Sequence, residues 1–248
     1  MNDEANVSRA LNMALPVEYP TVIFDDLLQR VANTGAMEAE RKTLISSWQA
    51  VAVRYRAAVE ADGQARESIA RSSNPSGEDR YLQEKAIFDF FVNIASCIDC
   101  LFYFMHIIGS VLKPSAFPTQ TEKELQQIHP SAVAERFQKH FPAEAVTKLI
   151  VEFANSDEYR QSRELKDAMF HRLVPSKTVW ITFSTPQNGT TPKPPSIPSN
   201  PKSPADQWVH DLDVDDRLTG RVADWVRKEV PKIIALLYAL TVSHFPDP

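Results

Sequence analysis

AIFDFFVNIASCIDCLFYFMHIIGSVL, residues 86–112, decides the fold. Its apolar residues go nearly all the way round a helix, the pattern of a segment enclosed by other elements rather than lying on a surface. It is also the one stretch that resembles a membrane span in length. Asp89, Asn93, Asp99 and His106 interrupt it. An Asp near the bilayer centre costs about 2.5–3.5 kcal/mol, and two of them oppose insertion, so no membrane partner is expected. The stretch reads instead as most of a helix over about 80–112, the central helix of a bundle, stopped by Lys113-Pro114.

Working outward, residues 36–62 read as a second long helix, with Leu44, Trp48, Val51, Tyr55 and Val59 at spacings of three and four. The Pro- and Gly-containing segment 72–80 separates the two. Shorter helices are expected at 120–128 and 131–141, punctuated by Pro130 and Pro142. A further pair is expected at 143–154 and 157–173, with Asn155 as N-cap of the second and Glu158 completing a capping-box-like start. After Pro175 the period changes, and KTVWITFS (177–184) alternates as a strand does.

Residues 185–204 hold seven prolines and one large apolar side chain, Ile197. Too little surface is available there to offset ordering entropy, so a flexible tip is expected. The strand-like QWVHD (207–211) closes a hairpin, and a last helix runs over 215–244, with Pro231 expected to kink it. The fold class is therefore all-α: an up-and-down helical bundle with a small β-hairpin inserted before the last helix. The chain reads as a single domain, 1–248, with 1–20 as an N-terminal extension.

Composition bounds the function. At 43% hydrophobic and 24% charged, the chain is ordinary for a globular protein. A net charge of −5 without a long Lys/Arg run counts against gripping a nucleic-acid duplex through many phosphates. The N-terminus has early acidic residues and no sustained apolar core, unlike a signal peptide, so with two cysteines the cytoplasm is the expected location.

The chemistry-bearing stretch is RELKDAMFHRLVP, 163–175. On a helix, Glu164, Asp167 and His171 share a face, with Arg160 and Arg163 beside them and Leu165, Met169 and Leu173 opposite. A carboxylate one turn before an imidazole fixes its tautomer, and neighbouring cations suit a phosphate. The four acids and four bases of 157–172 also cancel, as they do in a solvated ladder of ion pairs. On the central helix, Asp89, Asn93, Ser96, Asp99 and Tyr103 form a polar stripe, for which Arg163 and Arg172 are the expected partners.

A long apolar helix with interspersed polar residues, followed by a helix ending in His171-Arg172-Leu173 and a proline two residues on, resembles the HEPN superfamily, in particular an uncharacterised bacterial branch of it. The resemblance covers about 80–175 and, loosely, the last helix. It implies a compact helical bundle that forms a homodimer and binds a nucleotide, RNA or a protein partner. In catalytic members it implies a metal-independent endoribonuclease, with no cofactor and no metal. Carried over, His171 matches the motif histidine and Asp167 the polar position, whereas the motif arginine falls on Lys166. Lys lacks the bidentate fork of Arg, so this departure favours a binding module over a ribonuclease. On the enzyme reading His171 is the acid–base group, Lys166 or Arg163 the phosphate clamp and Asp167 the orienting carboxylate. Arg172, Asp89 and Asp99 support the site.

Other signals read as structural. Cys97-Ile98-Asp99-Cys100 lies mid-helix, the wrong place for a redox pair, and lacks the two further ligands of a zinc site. His210, Asp211, Asp213, Asp215 and Asp216 lack the glycine and glutamate of a calcium loop, and suit the start of the last helix. His106 reads as a core histidine.

Overall fold

The computed structural model describes residues 6–9, 11–33, 38–71, 76–171, 196–198, 210–213 and 216–244. The strand expected at 177–184, Arg172, and the side chain of His171 lie outside the described residues. The elements are β1 (Asn6–Ser8), β2 (Met13–Leu15), α1 (Thr21–Asn33), α2 (Glu38–Arg71), α3 (Gly77–Leu112), α4 (Glu122–Gln126), α5 (Pro130–His140), α6 (Ala145–Ala154), α7 (Asp157–His171), β3 (Ser196–Pro198), β4 (His210–Asp213) and α8 (Asp216–His244). The architecture is all-α with small hairpins, as its periodicities require.

α3 is the axis. Its apolar circumference is met by α2, α5, α7 and α8, so Phe90, Phe91, Ile98, Leu101, Phe102, Phe104 and Met105 are all fully enclosed. By length and composition Gly77–Leu112 is apolar enough to cross a membrane, yet 67% of its most apolar window is buried inside the fold. Ser76 starts the helix: its hydroxyl accepts from the Asp79 amide while the Asp79 carboxylate accepts from the Ser76 amide. At the far end Gly109 is obligatory for packing. A Cβ there would sit 2.6 Å from Cδ1 of the buried Phe117 ring.

α2 lies antiparallel along α3. The cross-contacts Ser68–Gln83, Arg54–Asn93 and Val51–Cys97 run in opposite directions along the two helices. α2 is longer than its expected span of 36–62, continuing through Gly63 to Arg71. Its second half is lined with Ala58, Ala61 and Ala65, small side chains that bury completely without forcing the helices apart.

Three expectations need correction. α7 is capped by Ser156, not Asn155: the Ser156 hydroxyl accepts from the Tyr159 amide at 3.2 Å. Asn155 instead ends α6, its side-chain amide donating to the Val151 carbonyl at 2.8 Å. Part of the segment expected to be flexible, Ser196–Pro198, is strand β3 paired antiparallel with β4, with Ile197 opposite Leu212. Finally, residues 6–33 join the core. Asn6 and Ser8 tie the β1–β2 hairpin down through hydrogen bonds to the Pro16 and Tyr19 carbonyls and to Asp25. Leu15, Tyr19, Phe24 and Leu27 are buried. α1 is not among the expected helices, although Phe24, Leu27, Leu28 and Val31 repeat at helical spacing.

α8 buries Leu218, Val222, Val226, Val230, Ile233, Ile234 and Leu237 and continues through Pro231. Trp225 is half-buried, its ring stacked on Phe153 at 4.3 Å.

Candidate functional site: a groove between α2, α3 and α7

Three helices each turn one face towards a cavity of about 800 Å³, a size suited to a small-molecule ligand. From α2 come Thr43, Ser46, Ser47 and Ala50, with Lys42 at the rim. From α3 come Ala95, Asp99 and Tyr103, four residues apart, with Cys100 beside them. From α7 come Tyr159, Arg163, Lys166 and Asp167. Ile128, His129 and Pro130, at the start of α5, close one side.

The spacings explain the convergence. Residues at i, i+4, i+7 and i+8 lie on one face of a helix, so the polar face of α7 looks into the groove while Leu165, at 1% exposure, enters the core. Ser162, on the buried side, donates its hydroxyl to the Glu158 carbonyl at 2.6 Å and needs no other partner.

Of the residues expected from the sequence, Asp99, Arg163, Lys166 and Asp167 come together here. Lys166 Nζ lies 3.2 Å from Asp167 Oδ1, and both side chains are about one-third exposed. A pair of that kind is weak and open to competition from an incoming anion. Asp99 accepts no hydrogen bond from any described residue. Its side chain is exposed to the groove. Burial pushes its carboxyl above the ordinary carboxylate range, Lys166 and Arg163 draw it back, and Asp167 adds to the rise. Tyr159 and Tyr103 are half-buried phenols, each raised by burial, and Arg163 beside Tyr159 opposes the rise there.

Asp89 does not join the groove. It pairs with Lys85 one turn earlier on α3, and lies ten residues, about 15 Å of helix, from Asp99. Asn93 is held by Arg54 of α2 at 3.0 Å and donates to the Asp89 carbonyl at 2.7 Å. The polar stripe of α3 therefore divides: its first half serves contacts within α3 and with α2, and Asp99 and Tyr103 face the cavity. The stripe is half-exposed, so full desolvation, expected from the apolar run around it, does not apply.

Tyr159, His129 and the α2 hydroxyls were not expected. Tyr159 falls four residues before Arg163 and was legible as part of the same face. The contributions of α2 and His129 carry no local signal, because only packing brings them to this cavity.

A second hollow of about 310 Å³ adjoins the first, sharing Tyr159 and Arg163 and adding Arg160 and Glu164. Arg160 is paired there with Asp157 at 2.8 Å. Away from the groove, Cys97 is buried with its thiol pushed well up by desolvation, and Cys100 is raised by burial and by Asp99, so neither offers a ready thiolate. His106 is a core histidine: Nε2 meets the Pro118 carbonyl at 3.1 Å and Nδ1 meets Arg136 at 3.1 Å. His210, Asp211 and Asp213 lie on β4.

Comparison of the chain with family models, with curated proteins and with solved structures finds no match to any of the three. What defines the protein is thus its all-α bundle and the groove that three of its helices enclose.

Proposed function

We propose that the chain is a binding module for a nucleotide, held in the groove between α2, α3 and α7. One observation carries this reading: Arg163 and Lys166 share a cavity with Tyr103 and Tyr159. Guanidinium and ammonium groups meet a phosphate, and a tyrosine ring offers a stacking surface worth about 1–3 kcal/mol per base. A solvated ladder of ion pairs accounts for Arg160 with Asp157, but not for a recess of this size lined by two phenols.

Binding is favoured over catalysis for a chemical reason. Lys166 is already neighboured by Asp167, and the position that would need a bidentate arginine holds a lysine. The test is a calorimetric titration of the full chain with AMP, GMP and UMP, alongside Arg163→Ala/Lys166→Ala. Saturable binding that the double variant weakens supports the module; no binding of any of the three sinks it. In parallel, end-labelled single-stranded RNA is incubated with the protein in excess EDTA. Cleavage by the wild type but not by His171→Ala would replace the binding reading with a metal-independent ribonuclease. Sedimentation of the same samples reads whether the module works as a homodimer.

A further inference from the structure

His129 stands at the N-cap of α5, immediately before Pro130. Its Nδ1 accepts from the Ala132 amide at 3.3 Å and lies 3.0 Å from the Ser131 hydroxyl. A ring nitrogen that accepts from a backbone N–H carries no proton, so the proton of the neutral ring sits on Nε2. Nε2 has no partner among the described residues, and the exposed ring lines the groove opposite α7.

Capping alone does not explain a histidine here. The other side-chain caps among the described helices are small hydroxyls: Ser76 on α3, Thr121 on α4 and Ser156 on α7. Ser, Thr, Asp and Asn cap through a short side chain. An imidazole does the same job with one nitrogen and leaves its second free to meet a ligand in the cavity it lines. Its position is fixed at both ends, by the cap and by Pro130, which is buried and sets the first φ of α5. A donor held in this way loses little freedom when it engages a ligand.

We infer that His129 is a ligand-contacting residue of the groove, donating its Nε2–H to an acceptor oxygen of the bound phosphorylated ligand. This rests on the nucleotide reading above. α5 then supplies a donor to the same cavity that the cations of α7 line.

Two substitutions separate cap from contact. His129→Asn keeps a side-chain acceptor of the best capping type and removes the Nε2–H. His129→Ala removes both. The full chain is titrated with AMP and, as a second probe, inorganic phosphate, with thermal melting of each variant. The expected result is wild-type melting for His129→Asn with AMP affinity reduced about fivefold to tenfold, the scale of one lost hydrogen bond. His129→Ala should show the same loss of affinity and a lower melting temperature. If His129→Asn binds AMP as tightly as wild type while Arg163→Ala/Lys166→Ala binds weakly, the groove is a site but His129 is a cap only, and the inference falls. If the wild type binds none of AMP, GMP, UMP or inorganic phosphate, the nucleotide reading itself falls and takes this inference with it.

Discussion

Two clusters of charge on this molecule look alike in sequence and differ in how they are completed. The first joins α2, α8 and the N-terminal segment. Asp62, at 1% exposure, is held by Arg66 at 3.0 Å and Arg227 at 3.4 Å, and Arg227 also reaches Glu18 at 3.4 Å. Glu18 in turn accepts from the Tyr55 hydroxyl at 3.1 Å. Its members answer one another. In the groove, Asp99 has a cavity in front of it and no hydrogen-bond donor among the described residues, and Lys166 leans on its own neighbour Asp167. Buried polar groups that complete each other fix a scaffold; those gathered around open space are available to something else.

Four measurements press on that distinction. The largest effect is expected from His106, another completed group of the scaffold. Burial pulls its pKa from 6.5 down to about 4, against the pull of the Pro118 carbonyl and with help from Arg136. The unfolded chain therefore takes up a proton near pH 6.5 that the folded one refuses until about pH 4. Stability is full above pH 6.5, falls as pH drops through that window, and levels off below it, a loss of about 3 kcal/mol. Urea midpoints at pH 7 and pH 4.5 should show this slope in the wild type and a shallower one in His106→Gln; equal slopes would mean the ring is not held neutral.

Next comes Asp62→Ala. It strands two arginines, but each is 31–40% exposed and can turn to water, so the cost is about 1–3 kcal/mol, read by denaturant unfolding. Nucleotide affinity should not change. A drop in affinity at unchanged stability would blur the line between scaffold and site.

The groove should behave in the opposite way. Arg163→Ala/Lys166→Ala is expected to weaken AMP binding about tenfold or more, equivalent to about 1.4 kcal/mol, with little change in melting. Stability loss without any change in affinity would assign these cations to the scaffold.

The smallest effect belongs to Asp99→Asn. A carboxyl whose pKa is raised on folding disfavours the folded state when ionised, so its removal should shift stability upward, within about 0.5 kcal/mol for an exposed side chain. Affinity for the three nucleotides, by contrast, should change in rank, because Asn offers a donor where Asp offers only acceptors. A clear loss of stability would place Asp99 in a completed network.

Most of the helical plan was legible because helices announce themselves locally. The apolar circumference of 86–112 marked α3 as central, the three-and-four spacing from Leu44 onward marked α2, and Pro130 and Pro142 bounded the shorter helices. One error fell where two adjacent residues suit the same role, as with Asn155 and Ser156. The last turns of α2, 63–71, were missed because Gly63 and the small, fully packed Ala65 carry little apolar signal. In the groove, the α7 wall was readable as a helix face, and Asp99 as a polar residue on an apolar helix.

The sequence by itself determined most of the helical segments, which residues of α3 break its apolar run, and that Arg163 and Asp167 lie close together on the polar face of α7, since all of this follows from spacing along one helix. Only the tertiary structure decided that Asp99 meets that face while Asp89 does not, that α2 adds hydroxyls, and that the ring of His129 reaches the same cavity from α5. Those are distances between segments far apart in the chain, and they are set by how the apolar faces of the helices pack against one another, which no local pattern encodes.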